Sequence, residues 1–110
     1  MPSPSASAPS SEELGRRVRD LRHRSGKPRK WIAESADIDI THLARIEAGT
    51  GNPTMFKLIQ LAVALEVDPG ELIAGFGADD VPQENRPHGF SEHHLYRRQP
   101  RRTQDDGAGV

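Results

Sequence analysis

The strongest constraint on the fold is a helix start signal and a helix stop signal that lie only ten residues apart. Asp39 is a favoured N-cap type, because its carboxylate can accept the free backbone N–H groups of a first helical turn. Gly49 suits the left-handed residue that closes a helix. At about 100° per residue, Leu43 and Ile46 share one side of the intervening helix. The stretch 39–49 therefore predicts a short helix that is anchored by two apolar residues.

Similar start and stop signals predict four further helices between residues 11 and 76. Capping residues before an apolar run, proline in a first turn and glycine after a last turn are the usual boundary signals. In chain order, these signals are the capping-box pair Ser10 and Glu13, the stop at Ser25 and Gly26, Pro28, Asn52 as N-cap with Pro53, and Asp68-Pro69-Gly70. Because no stretch sustains the alternating pattern of a half-buried strand, the chain is predicted to be all-α.

Apolar residues repeat at helical spacing inside these predicted helices, which identifies the expected core. The expected core residues are Leu14, Val18, Leu21, Ile32, Ala33, Ile38, Leu43, Ile46, Leu58, Leu61, Ala62, Leu65, Leu72 and Ile73. Residues 1–10 are rich in Ser, Pro and Ala, and regular patterning fades after residue 76. We therefore expect a disordered arm over 1–10, one domain over 11–76 and a disordered tail over 77–110.

Composition argues against several classes of protein. The absence of cysteine excludes a disulfide framework and a thiolate zinc site. No apolar run approaches the ~20 residues of a membrane span, and the first residues lack the pattern of a signal peptide. The sequence contains no glycine-rich phosphate loop and no candidate catalytic pair. We therefore expect a cytoplasmic, non-enzymatic protein with no catalytic residues, cofactor or metal.

Positive charge is concentrated in one part of a chain whose formal net charge is only −1. Eight Lys and Arg residues lie between Arg16 and Lys30, against the single acid Asp20. This run is compatible with a phosphate-binding surface. It is equally compatible with a solvated helix face, and the sequence leaves both interpretations open.

The tail contains two further clusters of polar residues. His88, His93 and His94 match no preorganised metal-ligand geometry, so no metal site is predicted. Four arginines could contact phosphates or an acidic partner, or could simply be solvated: Arg97, Arg98, Arg101 and Arg102. Three apolar residues indicate that the tail could fold on a partner protein: Phe90, Leu95 and Tyr96.

The second predicted helix, a tight turn at residues 36–38 and the third helix follow one another as in a helix-turn-helix. The sequence resembles the lambda-repressor-like, Cro-type (Xre-like) family of DNA-binding domains. The resemblance is carried by Leu14-Gly15, Leu21-Arg22, Ile32-Ala33, Ile38, Leu43, Arg45-Ile46-Glu47, Gly49, Asn52-Pro53, Leu61-Ala62 and Leu65. The chain departs from the family at Asp37, where a turn glycine is usual, and at Asp39, where Ser or Thr is usual. It also departs at Arg29, where glutamine is usual, and at Trp31, where a polar residue is common.

The resemblance implies a five-helix domain and a sequence-specific transcriptional regulator, more often a repressor. Such a protein would bind a pseudo-palindromic site on double-stranded DNA as a homodimer, with residues 40–48 as the recognition helix in the major groove. The implied base-reading residues are Ile40, Thr41, Ala44 and Arg45, with His42 at the flank. The implied phosphate contacts are Arg29, Thr50 and Asn52. The resemblance also implies that Arg22 and Glu47 pair as a structural brace.

An alternative function belongs to a different class. Many small members of the same family are antitoxins, which bind a toxin and are protein-interaction modules. In that case the tail from about residue 77 would wrap a partner protein, and DNA binding would be secondary or lost. The sequence leaves this alternative open.

Overall fold

The computed structural model describes residues 8–85. The described residues form five α-helices and two 3-10 turns, and no strand occurs among them. The helices are α1 (Pro9–Ser25), α2 (Arg29–Ala36), α3 (Ile40–Ala48), α4 (Met55–Leu65) and α5 (Gly70–Ile73), and the turns are Ala78–Asp80 and Gln83–Asn85. The predicted all-α, five-helix fold is confirmed. The helices lie in one compact unit that ends at Ala74, and the turns lie in a second that begins at Gly75.

Several predictions concern residues outside the described range. They are most of the arm over 1–10, the three tail histidines, the four tail arginines and the apolar residues Phe90, Leu95 and Tyr96. In the part of the chain that the structure describes, no helix is long and apolar enough to cross a membrane.

Both ends of α3 have the predicted form. The Asp39 carboxylate accepts hydrogen bonds from the backbone N–H groups of Thr41, at 3.1 Å, and His42, at 3.4 Å. Gly49 closes the helix with φ 87°, in the left-handed region that glycine adopts without steric cost. The stop predicted after α1 is also present, because Gly26 adopts φ 74°. These local signals are read correctly from the sequence.

The predicted capping box at the start of α1 is wrong. The helix begins at Pro9, two residues before the predicted Ser11, and its N-cap Ala8 makes no side-chain cap. Proline at the first helical position has a fixed φ that suits a helix, so the chain becomes helical before Ser10 could cap it. Glu13, the other half of the predicted box, instead accepts hydrogen bonds from the side chains of Arg16 and Arg17.

The predicted N-cap of α4 is also wrong. Thr54 takes this role in place of Asn52, and its hydroxyl oxygen accepts a hydrogen bond from the Lys57 backbone N–H at 3.2 Å. The chain after α3 first folds back on that helix, where the Gly51 N–H donates to the Arg45 carbonyl oxygen at 3.1 Å. The fourth helix therefore starts later than the sequence signal suggests.

One continuous apolar core lies inside the five-helix unit. Most of the expected residues are buried, and Leu21 and Leu58 are partly buried. The prediction that Ile73 belongs to the core is wrong, because its side chain is 49% exposed whereas that of its neighbour Leu72 is fully buried. Since α5 has only four residues, it presents a single turn to the core and buries one apolar side chain. Ala36 and Ala64 are buried in addition to the predicted set.

The position of α3 depends on close contact with α1 and on packing against α2, which in turn packs on α4. A Cβ atom at Gly15 would lie 2.9 Å from the carbonyl oxygen of Glu47 and still closer to that of Ile46. Any larger residue at position 15 would therefore force α1 and α3 apart. The absence of a side chain there sets the distance between the two helices.

Candidate nucleic-acid interface

The helix α3 has one buried and one exposed side. Leu43 and Ile46 are fully buried. On the other side Ile40, Thr41 and Arg45 are exposed. His42 and Ala44 are half-buried at the margin of the exposed side. The four predicted base-reading residues and the flanking His42 are therefore all accessible to some extent, on a helix whose apolar side is buried in the core.

The turn between α2 and α3 uses an aspartate in a backbone conformation that glycine usually adopts. Asp37 has φ 57°, and Asp is one of the few non-glycine types that tolerate the left-handed region. The next residue, Ile38, is 6% exposed, and its N–H donates to the carbonyl oxygen of Ala33 at 2.9 Å. The turn is thus held by a backbone hydrogen bond and by a buried side chain, which together fix the direction in which α3 leaves α2.

A buried carboxylate joins three helices behind the exposed side of α3. Glu47 is 2% exposed. Its Oε2 accepts a hydrogen bond from Arg22 Nε at 2.7 Å, and its Oε1 accepts one from Arg22 Nη2 at 3.0 Å. Arg29 donates to the same Oε1 from Nε at 3.2 Å and from Nη2 at 3.0 Å. The Arg19 guanidinium also donates to the backbone carbonyl of Glu47. The end of α3 is consequently tied to α1 and to the first residue of α2.

The carboxylate of Glu47 is held in its ionised form. Burial raises the pKa of Glu47, but the hydrogen bonds from Arg22 and then Arg29 outweigh burial and lower this pKa below its ordinary value. Hydrogen bonding to the charged form and nearby opposite charge both act in this direction. Near neutral pH, the three-residue cluster therefore has two positive charges and one negative charge.

Arg29 has a partner that the sequence did not reveal. It was expected to contact phosphate, and the structure places its guanidinium on Glu47 while leaving 44% of the side chain exposed. The sequence signal that could have revealed this contact is an arginine at a position where the resembling family has a neutral glutamine, with an inward-facing glutamate on the next helix. A phosphate contact by Arg29 stays a prediction.

The basic run between Arg16 and Lys30 is largely committed to contacts inside the domain. Arg16 pairs with Glu13 and Asp20, each at 2.6 Å. Four more cations of this run also have partners inside the domain: Arg17, Arg19, Arg22 and Arg29. At least five of the eight cations are therefore paired within the molecule. Five of the eight are nevertheless exposed, namely Arg16, Arg24, Lys27, Arg29 and Lys30. Both interpretations of this run, as a phosphate-binding surface and as a solvated face, therefore stay open for these residues.

Arg17 is the clearest case of a cation with a structural role. Its Nη1 donates to the carbonyl oxygens of Glu71, at 3.3 Å, and Leu72, at 3.1 Å, and its Nη2 donates to that of Ala74 at 2.8 Å. The carbonyl groups at the end of a helix lack intrahelical partners and bear partial negative charge. Arg17 therefore fastens the short α5 to α1, and its side chain is only 16% exposed.

Two predicted phosphate contacts lie in the loop that follows α3. Thr50 and Asn52 are both exposed. The Thr50 backbone N–H and hydroxyl donate to the Arg45 carbonyl oxygen at 3.0 and 3.3 Å. Thr50 thus lies directly beside the carboxyl end of α3. Contacts of either residue with phosphate stay predictions.

Acid should weaken the domain partly through Glu13. The hydrogen bond from Arg16 lowers the pKa of Glu13 from 4.5 to about 2, against the opposing effect of burial. A carboxyl group whose pKa is lower in the folded state stabilises the fold above its unfolded pKa, and this contribution is lost as pH falls. Melting temperature should therefore drop between about pH 4.5 and about pH 2. Since exposed pairs contribute at most ~1 kcal/mol, the share due to Glu13 should be at most about 4–8 °C.

Calorimetry of the wild type and of Glu13→Gln across this pH range measures that share. The variant should melt at a lower temperature than the wild type at pH 6 and should approach it at pH 2. Parallel curves for the two proteins would show that Glu13 makes no pH-dependent contribution.

Comparison with known proteins is consistent with this arrangement. A family model described as a helix-turn-helix domain matches residues 13–74. No curated protein matches the chain. Among solved structures, the chain is similar to the restriction-modification controller protein C.AhdI from Aeromonas hydrophila. The two share 29% sequence identity over 56% of this chain and 94% of that chain, with a TM-score of 0.55.

Two other solved structures are also similar. ComR from Streptococcus suis has 29% identity over 74% of this chain and 25% of that chain, with a TM-score of 0.55. The hypothetical transcription factor NHTF from Neisseria has 20% identity over 72% of this chain and 87% of that chain, with a TM-score of 0.56, and supports the fold alone. Because the family model spans more than half of the sequence, this chain belongs to the helix-turn-helix domain family, of the lambda-repressor-like, Cro-type kind that its sequence resembles.

Proposed function

We propose that this protein is a sequence-specific, DNA-binding transcriptional regulator whose helix α3 enters the major groove. The observation that carries the proposal is the two-sided character of α3, which is held from behind by Leu43, Ile46 and Glu47 and exposes Thr41 and Arg45 in front. An α-helix fits the major groove of B-DNA, where each base pair presents a distinct pattern of donors and acceptors. A rigidly held helix with accessible polar side chains is suited to reading that pattern.

Specific bases would be read by a small set of side chains. Arg45 can donate two hydrogen bonds to a guanine edge, and Thr41 can bond a base or contact a thymine methyl group. Ile40 can make only an apolar contact, for example with a thymine methyl group. Ala44 permits close approach of the helix, and His42 lies at the flank. Arg29, Thr50 and Asn52 would contact phosphates and fix the register of the protein on the duplex.

The intramolecular pairing of the basic run limits the electrostatic part of binding. The logarithm of the binding constant falls with the logarithm of salt concentration in proportion to the number of phosphates that the protein neutralises. Because at least five of the eight cations between Arg16 and Lys30 have partners inside the domain, few remain wholly available. The salt dependence should therefore be shallower than the number of arginines suggests.

Binding through one recognition helix has consequences for the number of copies on DNA, the mode of regulation and the place of action. One recognition helix reads only a few base pairs, so two copies on half-sites one helical turn apart would supply affinity for a pseudo-palindromic operator. A protein bound over a promoter blocks it, so we propose repression as the mode of regulation. Since its proposed partner is double-stranded DNA, the protein would act in the cytoplasm, on the nucleoid.

Selection of bound sequences from random DNA, followed by a salt titration on the enriched site, tests the proposal. We expect a palindromic consensus. Arg45→Ala should weaken binding to it by about 1–3 kcal/mol and relax preference at one base position. Arg29→Ala should weaken binding to all sequences alike and reduce the salt slope by about one.

The matched control is Arg16→Ala, because Arg16 is an exposed arginine on α1 that pairs with Glu13 and Asp20. This variant should leave affinity and salt slope unchanged. Unfolding must be measured for Arg29→Ala in parallel, since Arg29 also contacts Glu47. If no sequence is enriched by the folded wild-type protein, the proposed function is wrong.

A further inference from the structure

The guanidinium of Arg29 uses only one of its edges inside the domain. Its Nε donates to Oε1 of Glu47 at 3.2 Å, and its Nη2 donates to the same oxygen at 3.0 Å. These two nitrogens form one side of a planar group that has five N–H donors in a fixed fork. The other edge is formed by Nη1 and the second N–H of Nη2, and it makes no hydrogen bond to any residue that the structure describes. Three of the five donors are therefore left for a partner outside the domain.

Arg29 lies at the border between a buried carboxylate and solvent. Its side chain is 44% exposed, whereas that of Glu47 is 2% exposed. An arginine side chain in solvent samples many rotamers, and fixing it in one of them costs conformational entropy. Because the contact with Glu47 already holds the guanidinium plane in the free protein, less ordering remains when a ligand binds the free edge.

The positive charge of Arg29 is not cancelled by Glu47. The same carboxylate is already paired with Arg22, which donates to its two oxygens at 2.7 and 3.0 Å. Two arginines thus share one negative charge, and the cluster keeps one positive charge in excess. Since the Arg22 side chain is only 12% exposed, the excess charge faces solvent at Arg29.

We propose that Glu47 is a positioning residue for DNA binding, which holds one edge of the Arg29 guanidinium so that the free edge receives a backbone phosphate. Both contacts are made at once. An arginine edge matches two phosphate oxygens with two parallel hydrogen bonds. This inference rests on the proposed function, because it assigns a role in DNA binding to a buried residue that does not itself contact DNA.

The same arrangement ties the phosphate contact to the helix that would read bases. Arg29 is the first residue of α2, and Glu47 lies two positions after Arg45 on α3. A phosphate held by Arg29 is therefore linked to α3 through one carboxylate oxygen. Lysine at position 29 would keep the positive charge, but an ammonium group has no second edge with which to hold both partners in a fixed plane.

Replacement of Arg29 separates its charge from its geometry. Affinity is measured on the enriched site and on a scrambled duplex over a range of salt concentrations. Arg29→Lys should weaken binding to both duplexes by about three- to tenfold with the salt slope unchanged, because the charge stays while a hydrogen bond to phosphate is lost. Arg29→Gln should weaken both further and lower the slope by about one.

The matched control for Arg29→Lys is Arg16→Lys, the same substitution at an exposed arginine that pairs with Glu13 and Asp20. This control should bind both duplexes as the wild type does. An Arg29→Lys protein that binds as tightly as the wild type would show that charge alone matters at position 29, and it would overturn the proposal.

A double-mutant cycle of Glu47→Gln and Arg29→Ala tests the positioning role directly. If Glu47 acted only as a negative charge near DNA, its removal would tighten binding. If it positions Arg29, Glu47→Gln should weaken binding to both duplexes by roughly three- to tenfold, and this loss should shrink to less than about twofold in the Arg29→Ala background. Tighter binding by Glu47→Gln, or an additive cycle, would overturn the proposal.

Two controls accompany the cycle. Glu34→Gln removes an exposed acid from α2 and should not weaken binding. Because Glu47→Gln also weakens the fold, circular dichroism at low temperature gives the folded fraction by which each affinity is corrected. The Arg29→Lys result does not depend on this correction, since Arg22 still neutralises Glu47 in that variant.

Nuclear magnetic resonance of the arginine Nε–H groups tests the wild-type protein without any destabilising change. The Nε–H of Arg29 is hydrogen-bonded and should exchange slowly with water, and its signal is assigned by its absence from Arg29→Lys. This signal should stay protected from exchange when DNA is added. Loss of protection in the DNA complex would mean that phosphate displaces Glu47 from Arg29, and it would overturn the simultaneous contacts.

Failure of this inference is distinguishable from failure of the proposed function. Sequence-specific binding with an additive cycle would retain the regulator and contradict the positioning role of Glu47. Weak binding to every duplex alike, with the non-additive cycle expected above, would retain the positioning role and contradict the sequence-specific regulator.

Discussion

Replacing Glu47 with glutamine should lower the free energy of unfolding by about 3–5 kcal/mol, the usual cost of removing one partner from a buried ion pair. The variant leaves the guanidinium of Arg22, whose side chain is only 12% exposed, without its counter-charge. It also removes the negative charge that offsets the repulsion between Arg22 and Arg29, which both donate to Oε1 of Glu47. Denaturant unfolding followed by circular dichroism measures the loss.

The matched control for Glu47 is Glu34→Gln, which removes a negative charge from an exposed residue of α2. It should change the free energy of unfolding by no more than about 0.5 kcal/mol, as is usual for surface substitutions. The double variant Arg22→Met, Glu47→Leu should recover much of the loss, because an apolar pair of similar volume has no charge to desolvate. A Glu47→Gln protein as stable as Glu34→Gln would show that the cluster contributes little.

Replacing Gly15 with valine should destabilise the domain by about 3 kcal/mol or more, at the upper end of the range for overpacked sites. The valine side chain would meet backbone carbonyl oxygens of Ile46 and Glu47, which cannot move as the end of a flexible side chain can. The helices α1 and α3 must then separate, and the hydrogen bonds of Arg19 and Arg22 to Glu47 stretch with them. Calorimetry should show a melting temperature lowered by roughly 12–24 °C for this loss.

The matched control for Gly15 is Gly77→Val, because a Cβ atom at Gly77 meets no atom within 4 Å. This control should melt close to the wild-type temperature. If enough Gly15→Val protein remains folded at low temperature, operator discrimination should also fall, since the end of α3 has moved relative to its supports. A Gly15→Val protein that melts like Gly77→Val would contradict the close helix contact.

Local sequence signals predicted the helices because each signal acts within one turn of the chain. The carboxylate of Asp39 reaches N–H groups two and three residues ahead, and Gly49 closes α3 through its own backbone angles. Where two such signals compete, the sequence cannot rank them. Ser10 and Asn52 are favoured caps by type, yet Pro9 begins α1 before Ser10, and Thr54 caps α4 after Asn52.

The partners of the charged residues could not be assigned from local pattern. Arg29 and Glu47 are 18 residues apart, and Arg17 reaches the carbonyl oxygen of Ala74 across 57 residues. A run of arginines on one helix looks the same whether its members face water, phosphate or the end of another helix. The pairing of Arg22 with Glu47, across 25 residues, was expected only through resemblance to a known family.

The sequence by itself determined that the chain is all-α, where α3 begins and ends, and which of its sides is apolar, because caps and helical periodicity are properties of neighbouring residues. The tertiary structure alone decided what Arg17, Arg19 and Arg29 contact, how closely α1 approaches α3 at Gly15, and that α4 exposes a second apolar side. Those properties depend on which helices meet and at what distance. A residue's neighbours in the chain do not specify that distance, and only the packing of the whole domain does.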